Sequence, residues 1–231
     1  MSISYLERPV YAFAQVDDLL RLGPGTARRW VDGYRRGGRT YPPVVRETST
    51  GSDVVTWGEF VETRLLATYR DSGVPMQRLR PVVEGLRQTL GVRYPLATVR
   101  PYVDESRRLV HDLQEEAQLE DSMRLVVEAG GGQLVFSTQV RHVERSTVFA
   151  TQDSSDAGIA LRVAPLGRER AVALDPRFKS GQPAVRSVPT DVLTELVHAG
   201  EPVEWVAQQY DLTLEQVLDA LEYERRGQQA A

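Results

Sequence analysis

Apolar residues recur at helical spacing from near the start of the chain. Phe13, Val16, Leu19 and Leu20 form one stripe, and Gly23-Pro24-Gly25 then interrupts it, with Pro24 suited to the first turn of a second helix. A three-residue break between two helices is what a helix-turn-helix requires. Beyond it Ala27, Trp30, Val31 and Tyr34 fall at i, i+3, i+4 and i+7, which predicts a helix that buries this stripe and leaves Arg28, Arg29, Asp32, Arg35 and Arg36 outside. Val44-Val45-Arg46 and Val54-Val55 flank the turn-prone Ser49-Thr50-Gly51-Ser52, predicting a hairpin that would serve as a wing. Thr56 and Glu59 have capping-box spacing and open a helix with Trp57, Phe60, Val61, Leu65 and Tyr69 on its apolar side. A further helix follows Asp71-Ser72-Gly73 and carries Leu79, Val82, Val83, Leu86 and Leu90 at 3.6-residue spacing. Pro81 lies inside it; an interior proline costs roughly 3 kcal/mol, so a kink or fresh start is expected there.

Between Tyr94 and Arg186 the pattern changes to short runs rich in Val, Leu and Ile, which favours strands and loops. Strands are expected at residues 125–127, 133–136, 159–163 and 171–174, and a helix at 139–148 with Val140, Val143 and Thr147 inward. Gly130-Gly131-Gly132 reads as a turn, because no Lys-Ser or Lys-Thr follows it as a phosphate loop requires. Residues 151–158 read as a loop. From Pro189 helical spacing returns in three short segments: Val192, Leu193, Leu196 and Val197; Val203, Val206, Ala207 and Tyr210; and Leu214, Val217, Leu218 and Leu221. Gly200 fits the position after a helix end, Pro202 starts the next helix, and Thr213 with Gln216 repeats the capping box. The expected class is α+β and helix-rich: a winged helix-turn-helix over 1–97, a β-rich middle over 98–173, and a three-helix, helix-turn-helix-like unit over 174–231.

Charge separates the two ends. Residues 1–110 hold 17 Arg against 12 acids, whereas residues 111–231 hold 11 basic and 20 acidic residues, which together give the net −4 of the 231-residue chain. From Pro189 to Glu224 there are nine carboxylates and no Lys or Arg, so this end should not grip phosphate. The absence of cysteine excludes disulfides and thiolate metal sites. No apolar run approaches the roughly 20 residues of a membrane helix, so a soluble, cytoplasmic protein with no membrane contact is expected. His111, His142 and His198 fall in no metal-ligand spacing, and no nucleophile motif groups Ser, Asp and His. No enzyme activity, metal or cofactor is expected.

The run Thr26-Ala27-Arg28-Arg29-Trp30, Tyr34 after it, and Tyr69-Arg70-Asp71-Ser72-Gly73-Val74-Pro75 resemble the winged helix-turn-helix of the MerR-like group over residues 11–97. The long dimerising coiled coil and metal-binding cysteines of MerR regulators are missing, so metal sensing is not implied. Asp175-Pro176-Arg177, Gly181-Gln182-Pro183-Ala184-Val185-Arg186, Pro189-Thr190-Asp191-Val192-Leu193, Ala199-Gly200-Glu201 and Tyr210-Asp211-Leu212-Thr213 resemble a family of small antitoxin-like proteins, from about residue 174 to 223. Members of that family show a Gly-Thr-Arg-Ile-Pro run where this chain has Arg186-Ser187-Val188-Pro189. In this order along one chain, the two halves resemble a VapB-type antitoxin. The resemblance implies a ribonuclease toxin of the PIN group as partner and operator DNA as ligand; a homodimer on an inverted repeat is expected, because a single small module seldom supplies enough contacts and two-fold symmetry is the common solution. Thr26, Arg28, Arg29, Arg35, Arg36, Arg39 and Arg46 are the candidate DNA contacts. Arg177, Lys179 and Arg186 are candidates for insertion among the toxin's carboxylates, with Trp205 as an apolar anchor. The alternative is a stand-alone transcription regulator that senses a small molecule through its middle region.

Overall fold

The computed structural model describes residues 5–71, 73–98, 104–119, 124, 126–129, 133–136, 141, 143, 145–150 and 158–228. The fold is α+β and helix-rich, as the periodicity predicts. The chain divides into two compact units, Met1–Glu144 with Phe149–Ala160 and Arg145–Val148 with Leu161–Ala231.

In the first unit, β1 (Pro9–Ala12) runs directly into α1 (Phe13–Leu20), which buries Phe13 and Val16 and ends where Arg21 turns left-handed. After the Gly23–Gly25 break comes α2 (Thr26–Val31). Strand β1 pairs antiparallel with β4 (Val54–Thr56), Tyr11 opposite Val55, and this pair delivers the chain to α3 (Trp57–Asp71). The predicted face of α3 is the buried one: Trp57, Phe60, Val61, Leu65 and Tyr69 are each at most 1% exposed. Its capping box is formed, Glu59 accepting from the Thr56 N–H at 2.9 Å while the Glu59 N–H donates to the Thr56 hydroxyl at 3.3 Å. The Trp57 indole N–H donates to the carbonyl of Ala160 at 2.7 Å, satisfying the one polar atom of a fully buried ring.

Helix α4 (Met76–Leu90) runs through Pro81 without a fresh start. Pro81 is exposed, and the burial of Leu79, Val82, Val83 and Leu86 outweighs its cost, since each such side chain contributes about 1.5–3 kcal/mol. A helix the sequence reading did not anticipate, α5 (Asp104–Glu116), precedes the expected strands, found as β5 (Val126–Ala129) and β6 (Gln133–Phe136) in one hairpin. The Gln114 amide fastens α5 to β5 by accepting from the Val126 N–H and donating to the Val126 carbonyl, both at 3.1 Å. The glycine triplet 130–132 and the loop residues 151–157 lie outside the described residues. So do positions 139, 140, 142 and 144 of the helix expected at 139–148; Thr147, assigned to its inner face, instead opens strand β7 (Thr147–Phe149), which pairs with β8 (Ala160–Val163).

The second unit is built on a three-stranded antiparallel sheet of β9 (Val172–Ala173), β10 (Ala184–Val185) and β11 (Val188–Pro189), with β10 central. Helices α6 (Thr190–His198), α7 (Val203–Gln209) and α8 (Leu214–Gln228) pack on it around Val172, Val185, Leu193, Val206, Ala207, Val217 and Ala220. Thr213 and Gln216 make the second capping box, at 3.0 and 3.2 Å. One expectation for α8 is corrected. Leu214 and Leu218, assigned to the inner face, are 44% and 48% exposed; Val217 and Ala220 fill the core instead. At the far side Asp219 is buried and accepts from Arg170 at 2.6 Å and from the Ala171 N–H at 2.7 Å, tying α8 to the start of β9.

Candidate nucleic-acid interface

Helix α2 is anchored from α1. Asp17, buried on α1, accepts from the Gly25 N–H through one oxygen and from the Ala27 N–H through the other, both at 2.7 Å. A carboxylate there satisfies two donors of the helix start and suits its dipole. The angle between the two helices is therefore held by a side chain that the sequence reading left unused. Asp17→Ala should cost about 1.5–3 kcal/mol, the worth of hydrogen bonds to a charged group, readable as a lowered urea midpoint.

The helix ends sooner than the apolar spacing predicted. Asp32 closes it, and Gly33 follows at φ +78, where a Cβ would stand 2.6 Å from the carbonyl oxygen of Tyr41. The chain then makes a hairpin, β2 (Tyr34–Arg36) against β3 (Arg39–Tyr41), turned by Gly37 and Gly38 at φ +56 and +75. Two positive φ angles in a two-residue loop suit the twist of the strands. Tyr34 is thus exposed on a strand, its ring stacked on Tyr41 at 4.5 Å and 5°, and is not part of a buried helical stripe. The wing expected between residues 44–46 and 54–55 does not form, since β4 is taken by β1; the hairpin that follows α2 is β2–β3.

Most of the candidate cations gather on these two elements. Arg28 and Arg29 are exposed on α2; Arg28 pairs with the exposed Asp53 and lies over the Phe13 ring at 4.7 Å, and Arg29 donates to the Thr26 hydroxyl at 2.7 Å. Arg35, Arg36 and Arg39 are exposed on the hairpin, Arg35 bonded to Thr40 at 3.3 Å. By strand alternation Arg36 and Arg39 share a face with the stacked tyrosines, next to the glycine turn.

Arg46 does not stand with them. It is 7% exposed and donates to Asp32 at 2.7 Å, to Glu59 at 2.8 and 3.1 Å, to the Thr50 hydroxyl at 2.8 Å and to the carbonyl of Val54 at 2.8 Å. Its role is to bind the end of α2 to the start of α3. Asp32 completes the cluster by accepting from the Ser49 hydroxyl at 2.9 Å and the Thr50 N–H at 2.7 Å. Burial alone would raise the Asp32 carboxyl, but the Thr50 N–H, Arg46 and Ser49 together hold it down at about 2. From α4, Arg80 donates to the carbonyls of Pro42 and Pro43 and Arg87 to that of Val45, each at 2.6 Å, fixing the return from the hairpin. A cavity of about 610 Å³ opens beside this framework, lined among others by Arg46, Glu59, Arg87, Arg93 and Tyr94.

The four candidates for a protein partner lie in the second unit. Arg177 forks onto Asp175 at 2.6–3.2 Å, and Lys179 is exposed in the following loop. Arg186 reaches the carbonyl of Asp211 at 2.9 Å from the tip of the β10–β11 hairpin. Trp205 on α7 is 43% exposed. Among the described residues no group of His, Asp and Glu is placed to hold a metal ion, and no helix is long and apolar enough to cross a membrane.

A family model described as "Putative DNA-binding HTH domain" matches residues 9–83, which span α1, α2 and the β2–β3 hairpin. A second, described as a protein of unknown function, DUF433, matches residues 172–223, the sheet and three helices of the second unit. The crystal structure of Rv2018 from Mycobacterium tuberculosis superposes with a TM-score of 0.70 at 27% identity, covering 94% of this chain and 99% of that one. The chain is also 28% identical over 227 residues to a protein of the same organism named "Putative antitoxin VapB45", covering 93% of each. With 37% identity over 229 residues, 96% of this chain and 93% of the relative, the protein belongs to the family of the uncharacterized protein Rv2308 of Mycobacterium tuberculosis.

Proposed function

We propose that the protein is a non-enzymatic, DNA-binding antitoxin of the VapB type. Its first unit binds operator DNA to repress its own operon, and its second binds and neutralises a ribonuclease toxin of the PIN group. The observation that carries the DNA half is the set of five exposed arginines on α2 and β2–β3, of which, among the described residues, Arg28 alone is paired with a carboxylate, that of Asp53. A helix lies in the major groove while a glycine-turned ribbon with two tip arginines reaches the neighbouring groove or backbone. The toxin half rests on the similarity, over 93% of both chains, to the protein named "Putative antitoxin VapB45" and on the acidic composition of residues 189–224, which does not suit phosphate. A homodimer on an inverted repeat supplies the contact area that one small module lacks.

Arg28→Ala and Arg29→Ala should each weaken binding to the DNA upstream of the gene by about 1–3 kcal/mol, as read by fluorescence anisotropy. In Arg36→Ala/Arg39→Ala the slope of log affinity against log salt should fall by about 2, one per lost phosphate contact. Wild-type affinity and slope in both sets of variants would remove α2 and the hairpin from the interface. Asp53→Asn, which frees Arg28, should tighten binding. Co-expression with the protein encoded beside this gene tests the other half: one stable complex with its ribonuclease silenced is expected, and separate elution with full nuclease activity refutes it.

The 610 Å³ cavity favours one second reading, a stand-alone regulator whose effector binds next to Arg46 and Glu59 in the DNA-binding unit. A metabolite-induced rise in melting temperature together with a loss of operator affinity, in the absence of any nuclease partner, selects that reading.

A further inference from the structure

The second unit is acidic along its helices, but the sign reverses at the edge of its sheet. Arg162 on β8, Arg177 beyond β9 and Arg186 at the β10–β11 tip line one groove of about 420 Å³, with alanine side chains of β9 and β10 and the ring of Phe178 as apolar wall. One carboxylate, Asp175, belongs to the lining and is engaged by Arg177. Arg162 and Arg186 are exposed, and so is Phe178 at 48%, with the Arg177 guanidinium 5.5 Å from its ring centre. An exposed aromatic among arginines is the composition of a protein-binding hot spot rather than of a solvated surface.

The backbone adds an independent observation. Lys179, Ser180 and Arg186 sit at φ +46, +52 and +56, half of the six non-glycine residues with positive φ among the described residues. Such conformations disfavour any side chain, and glycine would relieve them. A charged side chain is nevertheless carried at the hairpin tip, where it overlooks the groove.

The geometry points to this groove as the docking site for an acidic peptide segment of the partner protein, its carboxylates meeting Arg162 and Arg186 and an apolar side chain covering Phe178. The assignment rests on the reading that the second unit binds a protein. It deepens that reading by naming the chemistry of what is bound: arginine pairs with carboxylate through two parallel hydrogen bonds.

The test uses the full chain and a fluorescent hexaglutamate peptide at fixed ionic strength. Saturable binding is expected, weakened at least ten-fold in Arg162→Glu/Arg186→Glu while operator affinity is unchanged. Arg186→Gly separates charge from folding, because it relieves the positive φ: its melting temperature should hold or rise while its peptide affinity falls. No binding to the wild type, or equal binding to wild type and variants, overturns the assignment, as does displacement of the peptide by an equal concentration of inorganic phosphate, which would mark a free-anion site. Failure of the antitoxin reading looks different: the neighbouring gene product would not co-purify, yet the hexaglutamate result would stand.

Discussion

Replacing Arg46 by alanine should cost about 3–5 kcal/mol of stability, the range seen when one partner of a buried ion pair is removed. The guanidinium is closed off from solvent by Asp32 on one side and Glu59 on the other, and its remaining donors end on Thr50 and two backbone carbonyls. Without it two carboxylates stay in the interior with no cation between them. The Asp32 carboxyl, held at about 2 in the intact cluster, loses one of the groups that keep it low and rises. The loss should appear as a lower urea midpoint with an unchanged slope. Most of it should be recovered in Arg46→Met/Asp32→Asn/Glu59→Gln, where no buried charge is left to pair. At a temperature where Arg46→Ala is still folded, the salt dependence of its DNA binding should equal that of the wild type, because Arg46 reaches no phosphate. A wild-type midpoint, or a flatter salt slope in the folded variant, contradicts this account.

Arg46 also shows where sequence reading stops. Local periodicity identified α1, α3 and α4, both capping boxes and the three carboxyl-terminal helices, because the relevant partners lie within four residues and one face is buried against a common core. The partners of Arg46 are 14 residues before it and 13 after it, and nothing in the spacing of Asp32, Arg46 and Glu59 distinguishes a buried cluster from exposed charges. The end of α2 departs from the apolar periodicity for a different reason. Ala27, Trp30, Val31 and Tyr34 satisfy helical spacing, but Gly33 and the pair Gly37-Gly38 are turn signals of higher value than a fourth apolar match, and Tyr34-Arg35-Arg36 and Arg39-Thr40-Tyr41 around them read as paired strands. Arg35 and Arg36 therefore stand on a strand and not on the helix, still exposed, while Arg28 and Arg29 remain on α2. In the second unit Arg177 and Arg186 carry the family resemblance, whereas Arg162, which lines the same groove, comes from a separate segment that only the fold brings to them, and Phe178, next to Arg177 in sequence, has no local pattern that marks it as exposed.

Glu62 gives the other large effect, and its sign is unusual for a carboxylate. The protein should lose stability as pH rises from about 4.5 towards 8. Glu62 is fully buried on α3; burial raises its carboxyl from 4.5 to about 8, against the lowering influence of the Leu96 N–H and of Arg87. One oxygen accepts from Leu96 at 2.9 Å; the other has no hydrogen-bond partner and lies 4.0 Å from Arg87 Nη2, which donates instead to the carbonyls of Val44 and Val45 while Nε donates to that of Arg93. Below 4.5 the folded and unfolded chains both hold the proton. Between 4.5 and 8 the unfolded chain releases it and the folded chain keeps it, so each pH unit favours unfolding by up to about 1.4 kcal/mol and the whole window by on the order of 4 kcal/mol. Asp32 at about 2 and Arg64, lowered by burial to about 10, titrate outside this window and do not mask it. Glu62→Gln keeps an acceptor for Leu96 and cannot ionise, so its urea midpoint should vary less with pH and at pH 8 should exceed that of the wild type. Parallel midpoint profiles for the two proteins between pH 5 and 9 would show that Glu62 is ionised in the fold. Because Arg87 holds the backbone that leads from the hairpin to Arg46, ionisation at high pH should also loosen the arginine-bearing hairpin, and operator affinity should decline over the same interval in the wild type and not in Glu62→Gln.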